Sequence, residues 1–455
     1  MRNPEYVLNS LAHKSGDPDY KFQRIYRNLY NRQFYYLAYR KLSRKQPAKK
    51  KWDQESFSRH IHRLIADLKT EHYQPGPLSD LPGQQGSFRD RLVQEVVAML
   101  LEAMFEGVFS CDSHGFRPRC SCHTALLHAK HVFFDVNWLI HADLNSFFPS
   151  IDFDVLRTIL RKRIMDEKFI RLINKFLRAG ALNNWQFQRT YSGTPIGGII
   201  GPILVNIYFH ELDRYINELK QMPRKGTLQQ TGKDQRSEYP AACKRLAYVR
   251  YAGELLIGVE GSKREAGLIR DQVAQFIGRQ LKIPDLQCQL TINHAKKPTR
   301  FLGYDIMVKK NCNLYLPHDI WVGKLHRLNE VKVDQNGLMK PVHRPELARL
   351  SDPEILAVFN TEIKSMYDYY RLADNASVLS KFYYFHKYSM FKTFAFKYKK
   401  SVRKILQKYL HEGKFTVVAE TNDGPKLMTL YGGRFTRNSC PIIQDDLDLI
   451  PERNR

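Results

Sequence analysis

The chain has 455 residues, 43% of them hydrophobic, which is enough for about two to four domains with packed cores. Its 72 Lys and Arg residues against 46 Asp and Glu give a formal net charge of +26, and many Tyr and Phe residues are interleaved with the basic ones. This balance favours a polyanionic partner over a merely solvated basic surface. Seven cysteines without disulfide-like spacing indicate a reducing compartment. No apolar run approaches the roughly 18 residues that span a membrane.

The N-terminal region is predicted to be helical and basic. Apolar side chains such as Phe22 and Leu29 recur at helical spacing within residues 1–42. Basic residues lie off this face and on the linker after it, where they are available to phosphate, although a plain packing helix explains the helical ones equally well. These candidates are Arg24, Arg27, Arg32, Lys49, Lys50 and Lys51.

The beginning of the chain has neither the apolar core of a signal peptide nor the Arg- and Ser-rich composition of a transit peptide. We therefore expect the protein to work where it is made. That compartment is a bacterial cytoplasm, or an organelle that encodes the protein itself.

Helical and strand patterns follow along the middle of the chain. Helices are predicted over residues 53–68, 88–107, 153–164, 202–219 and 264–281. Strands are predicted to end at Asp143, to form a hairpin over 248–259, and to complete the same sheet near 289–292 and 300–307.

Two of these strand segments carry acids where they end or turn. An apolar strand delivers Asp143, and the hairpin turn Tyr251–Glu254 carries Glu254 beside Gly253. Nucleotidyl transfer commonly uses two divalent cations about 3.5–4 Å apart, which carboxylates hold. The pattern indicates half of such a metal site, with Asp143 and Glu254 as candidate ligands. For the hairpin alone, a purely structural turn with Gly253 at positive φ is an equal alternative.

The C-terminal third is predicted to contain three helices. The first begins at the capping-box pattern Ser351–Glu354, the second near Ser377, and the third spans Phe391 to Leu410. The third carries more basic residues than can pack inward, which favours an RNA-facing surface over a solvated face. The candidates there are Lys392, Lys397, Lys399, Lys400, Arg403 and Lys404.

Several segments resemble the motifs of one protein family. The strand before Asp143 and the hairpin resemble the palm of reverse transcriptases, and residues 193–202 resemble their template-grip motif. Three further segments resemble group II intron reverse transcriptase/maturases in particular, the last of them their maturase domain, domain X. These three lie at residues 113–126, 301–306 and 351–413. The resemblance covers nearly the whole chain, in the family's order.

The resemblance implies an α+β fold with the right-hand fingers and palm of reverse transcriptases, an α-helical thumb and domain X. Phe148 would stand where the family places the aromatic residue that excludes a ribose 2′-hydroxyl. Template and nucleotide contacts would come from Phe148, Arg117, Pro195, Ile196 and Gly197. The implied domains are an N-terminal RNA-binding extension (1–42), fingers (43–135), palm (136–310), thumb and domain X (311–415), and a C-terminal tail (416–455) that contacts nucleic acid or caps the fold.

The chain departs from the pattern of active polymerases in this family at three places. Their Tyr-Ala-Asp-Asp turn is Tyr251–Glu254 here, so one metal ligand is missing and the other is one methylene longer. The Gln of the grip motif is Ile196, which cannot hydrogen-bond. Between His72 and Arg89, where the family has a basic hairpin around the triphosphate, this chain has no basic residue. The three losses indicate a degenerate polymerase site at Asp143, Gly253 and Glu254.

The expected function is that of a group II intron maturase, which binds intron RNA, promotes its splicing and accompanies the lariat in reverse splicing into target DNA. Mg²⁺ is expected on the intron ribozyme, with little or no binding at Asp143 and Glu254. One alternative is an active RNA-directed DNA polymerase of a mobile group II intron. Another is a domesticated RNA-binding scaffold. No membrane partner is expected.

Overall fold

The computed structural model describes residues 3–45, 53–76, 87–179, 198–221, 244–283, 290–421 and 424–443. Some of the predicted contact residues lie outside these ranges, namely Lys49, Lys50, Lys51, Pro195, Ile196 and Gly197. Within the described ranges, no helix has both the length and the apolar character that crossing a membrane requires.

Helices make up most of the regular structure. They are α1 (Pro4–Ser15), α2 (Arg32–Lys45), α3 (Gln54–Lys69), α4 (Phe88–Phe105), α5 (Cys122–Val132), α6 (Phe153–Arg163), α7 (Glu167–Arg178), α8 (Gly201–Gln221), α9 (Lys263–Gln280), α10 (His318–Arg327), α11 (Asp352–Tyr370), α12 (Leu379–Tyr398) and α13 (Val402–Tyr409). The five helices predicted for the middle of the chain are confirmed, as α3, α4, α6, α8 and α9.

The strands are short. They are β1 (Trp138–Asp143), β2 (Arg245–Tyr251), β3 (Glu254–Glu260), β4 (Thr291–His294), β5 (Thr299–Phe301), β6 (Tyr304–Val308), β7 (Cys312–Tyr315), β8 (Val331–Val333), β9 (Met339–Pro341), β10 (Leu410–His411), β11 (Lys414–Thr421) and β12 (Gly424–Thr429). The described residues form two compact units, one built from those up to 120 and from 136 to 179 and 198 to 294, the other from 121 to 135 and from 295 onwards.

The first unit is centred on an antiparallel sheet with the strand order β2-β3-β1-β4. β1 pairs with β3 from Trp138 opposite Val259 to Asp143 opposite Glu254. Of the two central strands, β3 is almost wholly buried and β1 has three buried residues, and α8 and α9 pack against the sheet. The prediction that residues 300–307 complete this sheet is wrong, because β5 and β6 pair with β7 in a separate three-stranded sheet of the second unit.

The N-terminal segment is less helical than its apolar spacing predicts. After α1, the backbone of Phe22 pairs with the end of α6: its N–H donates to Arg163 O (2.7 Å), and Met165 N–H donates to its carbonyl (2.9 Å). Arg24 then has a left-handed φ of +54°. A long-range backbone pairing therefore replaces helical hydrogen bonds between α1 and the 3₁₀ turn at Tyr26–Tyr30.

The second unit contains the C-terminal helices, and its capping box is confirmed. The Glu354 carboxylate accepts from the backbone N–H of Ser351 (2.8 Å), as the sequence pattern predicts. The predicted helix over 391–410 is wrong: α12 continues to Tyr398 and a new helix, α13, starts at Val402. Lys399 interrupts them with a left-handed φ of +48°, and Ser401 caps α13 by accepting from Lys404 N–H.

Candidate functional site

The two predicted acids meet at one end of the sheet. Asp143 is the last residue of β1 and lies directly opposite Glu254, the first residue of β3. Tyr251 also pairs with Glu254, so the hairpin loop consists of Ala252 and Gly253. The left-handed φ in this loop, +54°, falls on Ala252 and not on Gly253. Positive φ therefore does not explain why a glycine occupies position 253.

Close packing explains Gly253 instead. A Cβ at this position would lie 2.7 Å from Cζ of Phe148 and 2.8 Å from Oδ1 of Asn145, closer than real Cβ contacts. The backbone is held there from both sides, because Gly253 N–H donates to Asn145 Oδ1 (3.1 Å) and Leu144 N–H donates to Gly253 O (2.9 Å). A side chain at position 253 has no room without movement of the ring or of the segment after β1.

Each carboxylate of the pair is engaged by a neighbouring side chain. Asp143 is exposed, and its Oδ1 accepts from the backbone N–H (3.0 Å) and the side-chain amide (2.6 Å) of Asn145. Glu254 is only 4% exposed, and its Oε1 lies 3.0 Å from Nε2 of His141. The two acids therefore face different partners.

This arrangement does not fit the metal pair that the fold family implies. Two cations need carboxylate oxygens from both strands to converge with near-ideal geometry. Gly253 supplies none, and the described residues place neither Asp143 nor Glu254 in a cluster of three potential ligands. The bond to His141 commits one Glu254 oxygen to a protein partner.

A buried ion pair holds the turn from below. The Arg250 and Asp213 side chains are both 0% exposed, with Nη2 of Arg250 2.6 Å from Oδ2 of Asp213. Burial lowers the pKa of Arg250, but the Asp213 carboxylate more than offsets this effect and raises it overall. Arg250 also donates to Ala252 O (2.6 Å) and Ser113 Oγ (2.7 Å). The guanidinium thus ties β2, α8, the turn and the segment near Ser113 together.

The same network brings a second glycine under the turn. Asn206 accepts from Nη1 of Arg250 (3.2 Å) and donates through Nδ2 to Gly115 O (2.6 Å). A Cβ on Gly115 would overlap the backbone of Ala252. Sequence reasoning missed Arg250, Asn206 and Asp213. Arg250 and Asn206 did carry a signal, since each interrupts an apolar run, whereas Asp213 lies among polar residues of α8 and carried none.

Two residues assigned to nucleotide or template contact are engaged with the protein itself: Phe148 is buried and Arg117 is partly buried. Phe148 is 0% exposed, and its ring lies 5.9 Å from that of Phe209. Arg117 donates to Glu106 Oε1 (2.9 Å) and to the carbonyls of Ser110 and Ser113 (both 2.6 Å). In this structure both side chains organise the protein itself, and their contact with a nucleotide stays a prediction.

The predicted basic residues divide into exposed and anchored groups. Lys392 donates to Pro341 O and Lys397 to Leu350 O, each at 2.7 Å, and Lys397 also pairs with Asp352. Arg32 is exposed, with Nη1 3.0 Å from His62 Nε2. The other exposed members are Arg24, Arg27, Lys399, Lys400, Arg403 and Lys404.

Comparison with known proteins shows which family the chain belongs to. Residues 84–306 match the family model described as "Reverse transcriptase (RNA-dependent DNA polymerase)", and residues 309–430 match "Type II intron maturase". The chain is 33% identical to the group II intron-encoded protein LtrA of Lactococcus lactis subsp. cremoris, over 90% of this chain and 80% of LtrA. The chain belongs to the group II intron-encoded reverse transcriptase/maturase family. The predicted family and α+β fold class are confirmed.

Two further relatives of this maturase-family protein come from eukaryotes. It is 28% identical to the putative COX1/OXI3 intron 2 protein of Saccharomyces cerevisiae, over 77% of this chain and 48% of the relative. It is 22% identical to the nuclear intron maturase 1, mitochondrial, of Arabidopsis thaliana, over 65% and 54%. The family implies association with intron RNA.

The buried ion pair predicts a large stability difference between two similar substitutions. Asp213→Ala leaves the Arg250 charge buried without its carboxylate, so we expect a loss of about 3–5 kcal/mol. Asp271→Ala is the control, because Asp271 is exposed and its partner Arg270 is partly exposed, and we expect a loss of about 0–1 kcal/mol. Urea unfolding measures both. Similar losses for the two variants would contradict the assigned role of Arg250.

The packing around Gly253 predicts opposite effects for two Gly→Ala substitutions. Gly253→Ala pushes a methyl group against Phe148 and Asn145, so we expect a destabilisation of about 1–3 kcal/mol. Gly267→Ala, in α9, places its methyl where nothing lies within 4 Å, and we expect a stabilisation of up to about 1 kcal/mol. Thermal unfolding measures both shifts. A Gly253→Ala protein as stable as the wild type would show that the turn has spare room.

Proposed function

We propose that this protein is a group II intron maturase that binds intron RNA and promotes its splicing without reverse transcription. The observation that carries the proposal is the turn of Tyr251–Glu254. There a glycine replaces a metal-ligand position, and Phe148 and Asn145 fill the space that a longer side chain would need.

The remaining acids support the same conclusion. Polymerisation of nucleotides requires two cations positioned against the attacking and leaving oxygens. Here Asp143 accepts from Asn145, and Glu254 is buried against His141. In the proposed role, the metal ions that perform the chemistry are Mg²⁺ ions bound by the intron ribozyme.

The protein's contribution is preferential binding to the splicing-competent RNA conformation. Such binding shifts a population only by the difference in affinity between the two conformations. A shift from 1:99 to 99:1 needs about 10⁴-fold tighter binding to the competent fold. Exposed basic side chains on both units, such as Arg27 and Arg403, supply contacts with phosphate that can carry this difference.

The proposal extends to DNA and to the site of action. A maturase bound to the excised lariat remains with it during reverse splicing into a target DNA, in which the RNA again supplies the reactive group. The protein works where its intron RNA is transcribed, in a bacterial cytoplasm or in an organelle that encodes it.

Two assays on the same preparation test the proposal. We expect no primer extension on an RNA template with Mg²⁺ or Mn²⁺, and stimulated splicing of the associated intron at low Mg²⁺. Asp143→Ala identifies contaminating polymerase, because extension that survives this substitution does not come from this site. Wild-type extension that Asp143→Ala abolishes would favour an active polymerase. An absence of splicing stimulation would leave the RNA-binding scaffold as the function.

Restoring the two aspartates is a separate test. The double variant Gly253→Asp with Glu254→Asp supplies the missing carboxylate. The new Cβ at position 253 lies too close to Phe148 and Asn145. We therefore expect no primer extension and a lower unfolding temperature, with Glu254→Asp alone as the matched control. Robust extension by the double variant would show that the site lacks only its ligands.

A further inference from the structure

An open groove on the second unit combines an aromatic face with basic walls. It encloses about 660 Å³ beside the C-terminal part of α12 and the segment after β9. Phe396 is 49% exposed on its floor, and the His343 ring stacks on it with centroids 4.3 Å apart and an angle of 20° between the planes. An exposed aromatic face can stack on the base of an unpaired nucleotide.

Lysines surround this pair of rings. Lys392 and Lys397 are held by the carbonyls of Pro341 and Leu350, so their stems form fixed walls. Lys399 and Lys400 are exposed at the end of α12, and among the described residues neither forms an ion pair. The groove therefore offers positive charge beside an apolar ring face, which matches a nucleotide in both respects.

A buried cluster fixes the segment that carries His343. The neighbouring Arg344 donates its backbone N–H to Thr393 Oγ1 of α12 (3.0 Å), and its Nη1 lies 2.8 Å from Glu362 and 3.3 Å from Glu330. His386 completes the cluster, with Nδ1 2.6 Å from Glu330.

The acids and the histidine of this cluster have metal-ligand spacing, but Arg344 already supplies the positive charge that a cation would bring. The consequence of this buried cluster is structural. The His343 backbone is anchored next to α12, and the stacked rings are positioned before any ligand arrives, which lowers the entropic cost of binding.

We infer that this groove binds an unpaired nucleotide of RNA, with the base stacked on the exposed face of Phe396 and the adjoining phosphates at Lys399 and Lys400. An unpaired nucleotide is required because a base in a duplex has both faces covered by its neighbours. The choice of RNA as the ligand rests on the proposed maturase function. The stacking contact deepens that function by naming one site and the state of the nucleotide it takes.

The test compares binding of a short fluorescent unpaired RNA and of the same sequence in a duplex to the full-length protein. We expect Phe396→Ala to weaken binding of the unpaired RNA about 10-fold and to leave duplex binding unchanged. Phe396→Trp should restore the affinity, because any aromatic face can stack. Tyr384→Ala is the matched control, since Tyr384 is also on α12 and also 49% exposed but lies outside the groove.

The phosphate contacts have a separate readout. Lys399→Gln with Lys400→Gln should reduce the slope of log affinity against log salt concentration by about 1.4, since each phosphate contact of a single strand contributes about 0.7. An unchanged slope would overturn the placement of phosphates at these lysines. Equal losses from Phe396→Ala and Tyr384→Ala, or equal losses for unpaired and duplex RNA, would overturn the stacking assignment.

Failure of this inference is distinguishable from failure of the proposed function. Wild-type protein that stimulates splicing while Phe396→Ala binds unpaired RNA normally would overturn the groove assignment alone. Wild-type protein that binds unpaired RNA through Phe396 but stimulates no splicing would overturn the maturase proposal and retain the site.

Discussion

The buried pair of Arg250 and Asp213 is the interaction on which the sheet end depends. Moving two charges out of water costs several kcal/mol for each ion, and only close pairing with additional hydrogen bonds offsets that cost. Here the guanidinium reaches the Asp213 carboxylate, the Ala252 carbonyl and Ser113 at once. The conformation of the turn is therefore determined from inside the protein. Groups of the chain itself therefore hold the ends of β2 and β3 in register.

The fold keeps the strand arrangement at this sheet end while the side chains around the two acids differ from those expected of a two-metal site. Asp143 and Glu254 keep the opposed register of a catalytic pair, because strand pairing sets it. The chemistry of the position is nevertheless different: Asn145 bridges Asp143 and the Gly253 amide, and Phe148 packs beneath the glycine. Fold and site chemistry are therefore separable properties, because strand pairing fixes the first and the neighbouring side chains determine the second.

Local patterns predicted most of the elements, and long-range contacts explain where they did not. Apolar periodicity identified α3, α4 and the hairpin around Ala252, and the opposition of Asp143 and Glu254 followed from two strand ends. Apolar periodicity predicted helix wrongly at two places. At Phe22 the backbone pairs with a segment far along the chain, and at Lys399 a single left-handed residue ends α12. The sequence also could not predict the packing role of Gly253, because that role depends on the Phe148 ring, which only the folded structure places against it.

Net charge alone does not show which basic residues of this chain are available to bind phosphate. The contacts of each basic side chain show it. Some basic side chains donate to backbone carbonyls and acids of the protein and so contribute rigidity. These are Lys392, Lys397 and Arg117. Exposed residues such as Lys399 and Lys400 keep their charge available to phosphate. In the nucleotide groove proposed above, Lys392 and Lys397 are held in fixed positions beside Lys399 and Lys400. Fixed positions lower the entropic cost of binding, so the anchored lysines contribute to the proposed site without contacting phosphate themselves. Recognition of a folded RNA requires both, since exposed charge alone attracts every polyanion equally.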